Sequence, residues 1–258
     1  MGIRLHPGRN LRKTTAMSHL HRFYVPTDTA DEPGEVLLPE EEAHHAARVV
    51  RVRPGERVAL VDGRGREWPG TVARVDRREV AVDASPCRRA EAPSARLTLF
   101  QAWLKRDKHI EEIVWRGTEL GVWDFVFFRA AHSERPVSYD EKWLRIAQEA
   151  CKQCGRLWLP SFSVAPSLPK ALEGFEGRLL LASADEPPVP LREALDSGLA
   201  GLVVGPEGDF TDEERAEALK RGARCISLGS TTFRAEVAAF VGATLVLYEL
   251  GQLGPRSA

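Results

Sequence analysis

The sequence is poor in several things at once. It holds 4 cysteines in 258 residues, and Cys87, Cys151, Cys154 and Cys225 make no disulfide framework in a chain of this size. No apolar run reaches the length of a membrane span. Net charge is also missing: 36 Lys+Arg stand against 37 Asp+Glu, so the whole chain is no electrostatic glove for a polyanion. It lacks G-x-G-x-x-G, G-x-x-x-x-G-K-[ST] and G-x-S-x-G, which leaves dinucleotide, P-loop and hydrolase-elbow readings without a fingerprint. The first 27 residues contain no acid and carry Arg4, Arg9, Arg12 and Lys13, without the apolar centre of a secretory signal. Such a leader is an organellar transit peptide, a disordered tail, or the result of an early start ahead of Met17. A disordered basic tail over 1–20 is the favoured expectation. Together these absences predict a cytoplasmic protein in a reducing setting, with no membrane partner.

What is present divides into two rhythms. Short strand patterns at 22–25, 35–38, 57–63, 68–75 and 79–84, separated by glycine-bearing or charged turns, predict a small β-barrel with one helix over 40–52. The aperiodic Pro/Ala/Arg stretch 86–95 marks the domain boundary, giving a first domain over 21–90 and a second over 91–258. Beyond it strands and helices alternate. Strands are predicted at 96–103, 122–128, 178–184, 201–205 and 225–229, and helices at 107–121, 140–155, 191–197, 212–221 and 235–250. This alternation predicts an α/β fold with a mostly parallel sheet and helices on both faces, whose ligands sit at the carboxyl ends of strands.

Two such strand ends stand out. "GLVVGPEGDFTDEE" (201–214) runs a buried strand into a Gly-Pro-Glu-Gly corner and restarts at once as a helix, with Thr211 and Glu214 spaced as a capping box. "CISLGSTTFRAEVAAFVG" (225–242) repeats the design, with Arg234 and Glu236 at the helix start. Glycines at such corners suit a ligand that approaches the backbone closely. Two walls offering main-chain groups without a basic phosphate clamp suit a nucleoside-like ligand of little negative charge. Candidate ligand-binding residues are therefore Gly205, Pro206, Glu207 and Gly208 on one loop and Leu228, Gly229, Ser230 and Phe233 on the other. Cys151-x-x-Cys154 lies within a helix pattern with no second pair, so both cysteines are read as core residues and no metal site is expected. Trp103, Trp115, Trp123, Trp143 and Trp158 fall within strand and helix patterns and read as packing.

Five stretches carry a resemblance in one order and spacing: "KRDKHIEEIVWRGTELGV" (105–122), "SERP" (133–136), "KWLRIAQEACKQCGR" (142–156), "GPEGDFTDEE" (205–214) and "LGSTTFRAEVAA" (228–239). With "HHAARVVRVRPGERV" (44–58), they make the chain resemble the ribosomal RNA small subunit methyltransferase E family from about His21 onward. That resemblance implies a PUA-like barrel followed by a SPOUT domain knotted as a trefoil. It further implies a homodimer, S-adenosyl-L-methionine as methyl donor, and methylation of N3 of a uridine in small-subunit (16S-type) ribosomal RNA, free or in the assembled subunit. The chain departs from the family pattern at Asp209, where glycine is usual, and at Ala235 and Val237, where threonines are usual; its "SERP" replaces "SERS". Asp tolerates left-handed dihedrals, so the turn at 209 is expected to survive. The lost hydroxyls keep open a non-catalytic RNA-binding or ribosome-assembly factor on the same fold, and an enzyme using another nucleotide.

Uracil N3 becomes nucleophilic as its proton leaves and charge spreads to the ring oxygens. By position, Arg234 is the candidate to hold that charge, and Glu236, or a water, to take the proton. The alternative for this pair is helix-start electrostatics or a structural ion pair. The segment 44–89 carries 11 arginines against 6 acids. His44, His45, Arg48, Arg51, Arg53, Arg64 and Arg66 are the candidate RNA contacts, positioning phosphate rather than reading sequence.

Overall fold

The structure, a computed structural model, describes residues 20–183, 188–195 and 198–254. The basic tail expected over 1–20 lies, but for Leu20, outside the described residues. The chain divides into two compact units, Met1–Val61 with Glu67–Arg88, and Asp62–Arg66 with Arg89–Ala258.

The first unit is built on β1 (His21–Tyr24), β2 (Gly34–Leu37), α1 (Glu40–His44), β3 (Arg57–Val61), β4 (Arg66–Val75), β5 (Val80–Ala84) and β6 (Arg88–Arg89), with the end residues Arg66 and Arg89 counted in the second. Its strands run in the order β1-β3-β4-β5-β2, with β6 paired to β4. Alternate residues of β3 to β5, among them Val58, Leu60, Trp68, Val72, Val80 and Val82, meet in one core, as period-two side-chain placement requires. Trp68 is fully buried, and its indole N–H donates to the Ala30 carbonyl at 2.8 Å, which removes the penalty of burying that donor. The single helix expected over 40–52 is instead α1 followed by a π-helical turn, His45–Val50, closed by Arg51 in a left-handed conformation (φ 63°).

The second unit holds β7 (Arg96–Ala102), α2 (Asp107–Leu120), β8 (Asp124–Phe128), α3 (Lys142–Cys154), β9 (Ser161–Ala165), α4 (Leu168–Ala171), β10 (Arg178–Ala182), α5 (Leu191–Ala194), β11 (Leu199–Val204), α6 (Asp212–Lys220), β12 (Arg224–Ile226) and α7 (Ala235–Glu249). Its sheet runs β12-β10-β11-β7-β8-β9, and every pairing is parallel. Alternate residues of β7 enter opposite layers. Leu97 and Leu99 meet residues of α2, α3 and α7, whereas Phe100 and Ala102 meet residues of α4 and α6. Helices thus cover both faces, as the alternating pattern predicts.

Local signals place several boundaries. Ile110, Ile113 and Val114 form the buried stripe of α2, which ends at Gly121 (φ 107°), where a side chain would be strained. Gly117 lets α2 press onto β8: an added Cβ would meet the Phe125 ring at 2.7 Å. Helix α7 is apolar around nearly its whole circumference, and Gly242 brings it against Leu202 of β11. Strand β9 and helix α4 escape the sequence reading because "SFSVA" is short and half polar, and α4 is one turn long. Cys151 is buried, but Cys154 is exposed at the end of α3, which corrects its reading as a core residue.

Candidate functional site

The strand order reverses at β7, which has β8 on one side and β11 on the other. A doubly wound sheet opens a crevice at such a point, beyond the carboxyl ends of its strands. A cavity of about 680 Å³ lies there, within the usual size of a small-molecule site. The segment after β7 supplies Lys105, Arg106 and His109, the end of β10 supplies Ala182 and Ser183, and the corner after β11 supplies Gly205, Pro206, Glu207 and Asp209. The fourth wall comes from Leu228, Gly229, Phe233, Arg234 and Glu236 between β12 and α7. Of the predicted ligand-binding residues, Gly208 and Ser230 do not line this cavity.

The corner after β11 is held by hydrogen bonds from three directions. The side-chain amide of buried Gln101 donates to the Gly205 carbonyl (3.3 Å). The backbone N–H of Lys105 donates to Glu207 Oε1 (3.0 Å). His132 places Nδ1 at 2.8 Å from the Gly208 carbonyl and 2.9 Å from that of Asp209, so this nitrogen carries its proton. Asp209 adopts φ 60° and its Oδ1 accepts from the Phe210 N–H at 2.7 Å, a local bond that suits aspartate to the left-handed position. The capping box forms as its spacing predicts: the Glu214 N–H donates to Thr211 Oγ1 (3.2 Å), and Glu214 Oε2 accepts from the Thr211 N–H (3.1 Å).

The two corner glycines are closely packed by the protein itself. Neither has a positive φ. A Cβ on Gly205 would stand 3.2 Å from the Phe210 ring, and one on Gly208 would stand 3.0 Å from the Cβ of His132. The space they leave is filled by the protein itself.

The wall between β12 and α7 is more open. The expected strand 225–229 ends at Ile226, and the loop turns on Ser227, whose Oγ bonds the Gly229 N–H (3.3 Å) and carbonyl (3.1 Å). Gly229 has φ 150°. Arg234 is exposed and is the N-cap of α7, with no side-chain cap bond. Glu236, two residues on, is only 8% exposed. The two form no ion pair with each other among the described residues; Glu236 Oε2 instead faces His109 Nδ1 at 3.8 Å.

Sequence reasoning missed Lys105, Arg106 and His109. The signal was there, since "LKRDKH" follows directly on a predicted strand, at the end where ligands bind. Lys105 and Arg106 join the predicted Arg234 in lining the cavity, so basic groups reach it from a segment outside the two predicted loops. Lys105 Nζ is in part neutralised by Glu134 at 2.9 Å.

The candidate RNA contacts separate. His44, Arg48, Arg51 and Arg53 are exposed in the first unit, and the three arginines form no ion pair among the described residues. His45 is half-buried, its ring edge-on to Phe23. Arg64 and Arg66 belong to the second unit. Arg66 is committed there: its Nε donates to Asp62 Oδ2 at 2.7 Å, while Asp62 Oδ1 accepts the backbone N–H groups of Arg64 (2.8 Å) and Arg66 (3.1 Å). Burial pushes the Asp62 carboxyl up, but these three donors and the guanidinium charge outweigh it and hold the carboxyl below its ordinary range. Arg66 thus braces a tight loop through its Nε. Among the described residues no group of His, Cys, Asp and Glu could hold a metal ion, and no helix is long and apolar enough to cross a membrane.

Known proteins agree with this arrangement. The family described as RNA methyltransferase domain matches residues 90–247, and that described as RNA methyltransferase PUA domain matches 38–84. A ribosomal RNA small subunit methyltransferase E of Mycobacterium bovis is 32% identical over 85% of this chain and 88% of its own length. One of Aquifex aeolicus is 28% identical over 85% and 95%. The crystal structure of a ribosomal RNA small subunit methyltransferase E from Neisseria gonorrhoeae, bound to S-adenosyl methionine, superposes with TM-score 0.77 at 25% identity, covering 89% of this chain and 98% of that one.

Proposed function

Because the chain belongs to the ribosomal RNA small subunit methyltransferase E family, we propose that it methylates N3 of a uridine in small-subunit ribosomal RNA, with S-adenosyl-L-methionine as donor. The observation that carries the proposal is the cavity at the β7/β11 reversal, where exposed Arg234 and buried Glu236 share one wall. The wall fits a donor of this class. Leu228, Phe233, Ala182, Val204 and Ala238 give it apolar surface, while the ends of β11 and β12 present backbone polar groups. Those residues, with Gly205, Pro206 and Gly229, would hold the donor, and the carboxylates of Glu207, Asp209 and Glu236 complement a positive ligand. When bound, the donor supplies an electrophilic methyl group.

The chain's own residues account for the rest of the chemistry. The uracil N3 proton lies on the pairing edge, so the base must enter unpaired. Glu236 takes that proton, and Arg234 steadies the charge that develops on the ring oxygens. Lys105 and Arg106, exposed at the mouth, meet the phosphates flanking the base. His44, Arg48, Arg51 and Arg53 grip the RNA from a PUA-like barrel. The same reading makes the protein a cytoplasmic homodimer with a C-terminal trefoil knot. Support for the knot lies in the path of the chain: after edge strand β12 it returns to α7, which packs on the central strands β7 and β11.

The test is methyl transfer from labelled S-adenosyl-L-methionine to small subunits lacking the modification, followed by nucleoside identification. A 3-methyluridine product is expected. Donor binding without product would turn the reading to a non-catalytic RNA factor, and absence of both would end it.

A further inference from the structure

Methylation at N3 releases one proton per turnover, and a buried carboxylate that accepts it must pass it on before it can act again. We propose that His109 receives that proton from Glu236 through Nδ1, as the second acid–base group of the cavity. The proposal rests on the methyltransferase reading above.

The pair is isolated by its surroundings. Glu236 is nine-tenths buried in the first turn of α7 and accepts no hydrogen bond among the described residues. His109 lies in the first turn of α2, and its Nδ1 is buried and without a hydrogen-bond partner. Glu236 Oε2 and His109 Nδ1 stand 3.8 Å apart. That is an ion-pair separation which must tighten for transfer, as acid–base contacts in ligand-free sites commonly do. Other charges near α2 are engaged elsewhere or held at the rim. Arg135 binds Asp107, and Lys142 from α3 binds Glu111 at 2.7 Å. Lys105, Arg106 and Arg234 are exposed on the cavity wall, as are Glu207 and Asp209 on the corner.

The balance is simple. As the N3–carbon bond forms, the bond from that carbon to the donor's sulfur would break, its electron pair staying on sulfur to leave a neutral thioether, while the N3–H bond breaks and its proton goes to Glu236. The carboxylic acid then protonates His109 Nδ1, and the imidazolium, about a quarter exposed (23%), loses a proton to solvent. No oxidant or further reactant is needed. A merely structural ion pair between α2 and α7 would hold the helices together without taking part in this transfer.

The first measurement needs no activity: the ring nitrogen signals of His109 in the donor-free protein, compared with those in Glu236→Gln. Shifted signals are expected; unchanged signals would overturn the pairing. Next, His109→Asn, which keeps a polar group near the Nδ1 position but cannot carry the proton, is compared with wild type in single-turnover transfer across pH, with donor affinity followed by calorimetry. Donor affinity is expected to hold while the transfer rate falls by about 10- to 100-fold and the pH–rate profile loses a limb. The double variant His109→Asn/Glu236→Gln is expected to be no slower than Glu236→Gln alone, because groups acting in series are not additive. A His109→Asn variant with wild-type rate and profile would overturn the relay, as would a double variant slowed by the product of the two single effects. A wild-type protein that makes no methylated nucleoside is a different outcome: it sinks the methyltransferase reading and the relay with it, while the nitrogen signals still decide the pairing.

Discussion

The two strand-to-helix turns that face each other across the cavity look alike in sequence and differ in construction. The corner from Gly205 to Thr211 is bonded to its neighbours on every side, by Gln101, Lys105, His132, the Asp209 side chain and the Thr211–Glu214 box. Within the loop from Ser227 to Arg234 the side-chain bonds among the described residues are those of Ser227, and its helix starts at an exposed arginine whose carbonyl accepts from Ala238 N–H but whose side chain makes no cap bond. Hydrogen-bonding groups already engaged position a site; groups left open can still meet a ligand. On the proposed reading, the first turn is a frame and the second carries the chemistry.

Substitutions should separate the two roles. The largest effect is expected at Arg234→Ala. Transfer should fall by about 10²- to 10³-fold, with donor affinity and melting temperature nearly unchanged; a variant that unfolds or loses the donor would make the second loop a frame as well. Thr211→Ala should do the opposite, costing about 1 kcal/mol of stability in denaturant titration while the rate per folded molecule holds. A finer cut comes from His132, whose Nδ1–H is what the corner uses. The amide of His132→Asn can reproduce that donor, whereas His132→Gln places its amide nearer the Nε2 position. Donor affinity should fall a few-fold, roughly 1 kcal/mol for one hydrogen bond, in the Gln variant and recover in the Asn variant; equal losses would remove the bond from the account.

The smallest effect lies outside both turns. The Asp62 carboxyl is held below its ordinary range by its donors in the 62–66 loop, so its contribution to stability is complete above the unfolded value and is lost as pH falls through the lower folded one. Acid titration of wild type against Asp62→Asn should show their stabilities converging only below about pH 4. Convergence at higher pH would mean that the loop does not hold the carboxylate.

Much of the frame was legible from the residues, and the reason is local. The Thr211/Glu214 spacing, the apolar stripe of α2 and the glycine after it are short-range signals, and each appears where expected. Asp209 in a left-handed position is also a one-residue property. Legibility failed where distant residues decide. The crowding of Gly205 by Phe210 and of Gly208 by His132 is not visible in the sequence; His132 lies over seventy positions from Gly208 in the chain. The meeting of His109 with Glu236 is likewise a tertiary fact, set by α2 lying against α7. The Arg66–Asp62 bond was not visible because Asp62 reads as the end of a strand.

The strand order also bears on how the protein is made. β7 lies in the middle of its sheet, yet its partner β11 is paired residue for residue from Arg96↔Leu199 onward, so the first-made strand of the unit waits for about a hundred more residues to be synthesised. Such long-range pairing slows folding. The last cavity wall, from Leu228 to Glu236, emerges from the ribosome later still. A nascent chain can bury much of the layer formed by α2 and α3 before it has any pocket at all, so binding competence should appear abruptly, once that last wall joins the others.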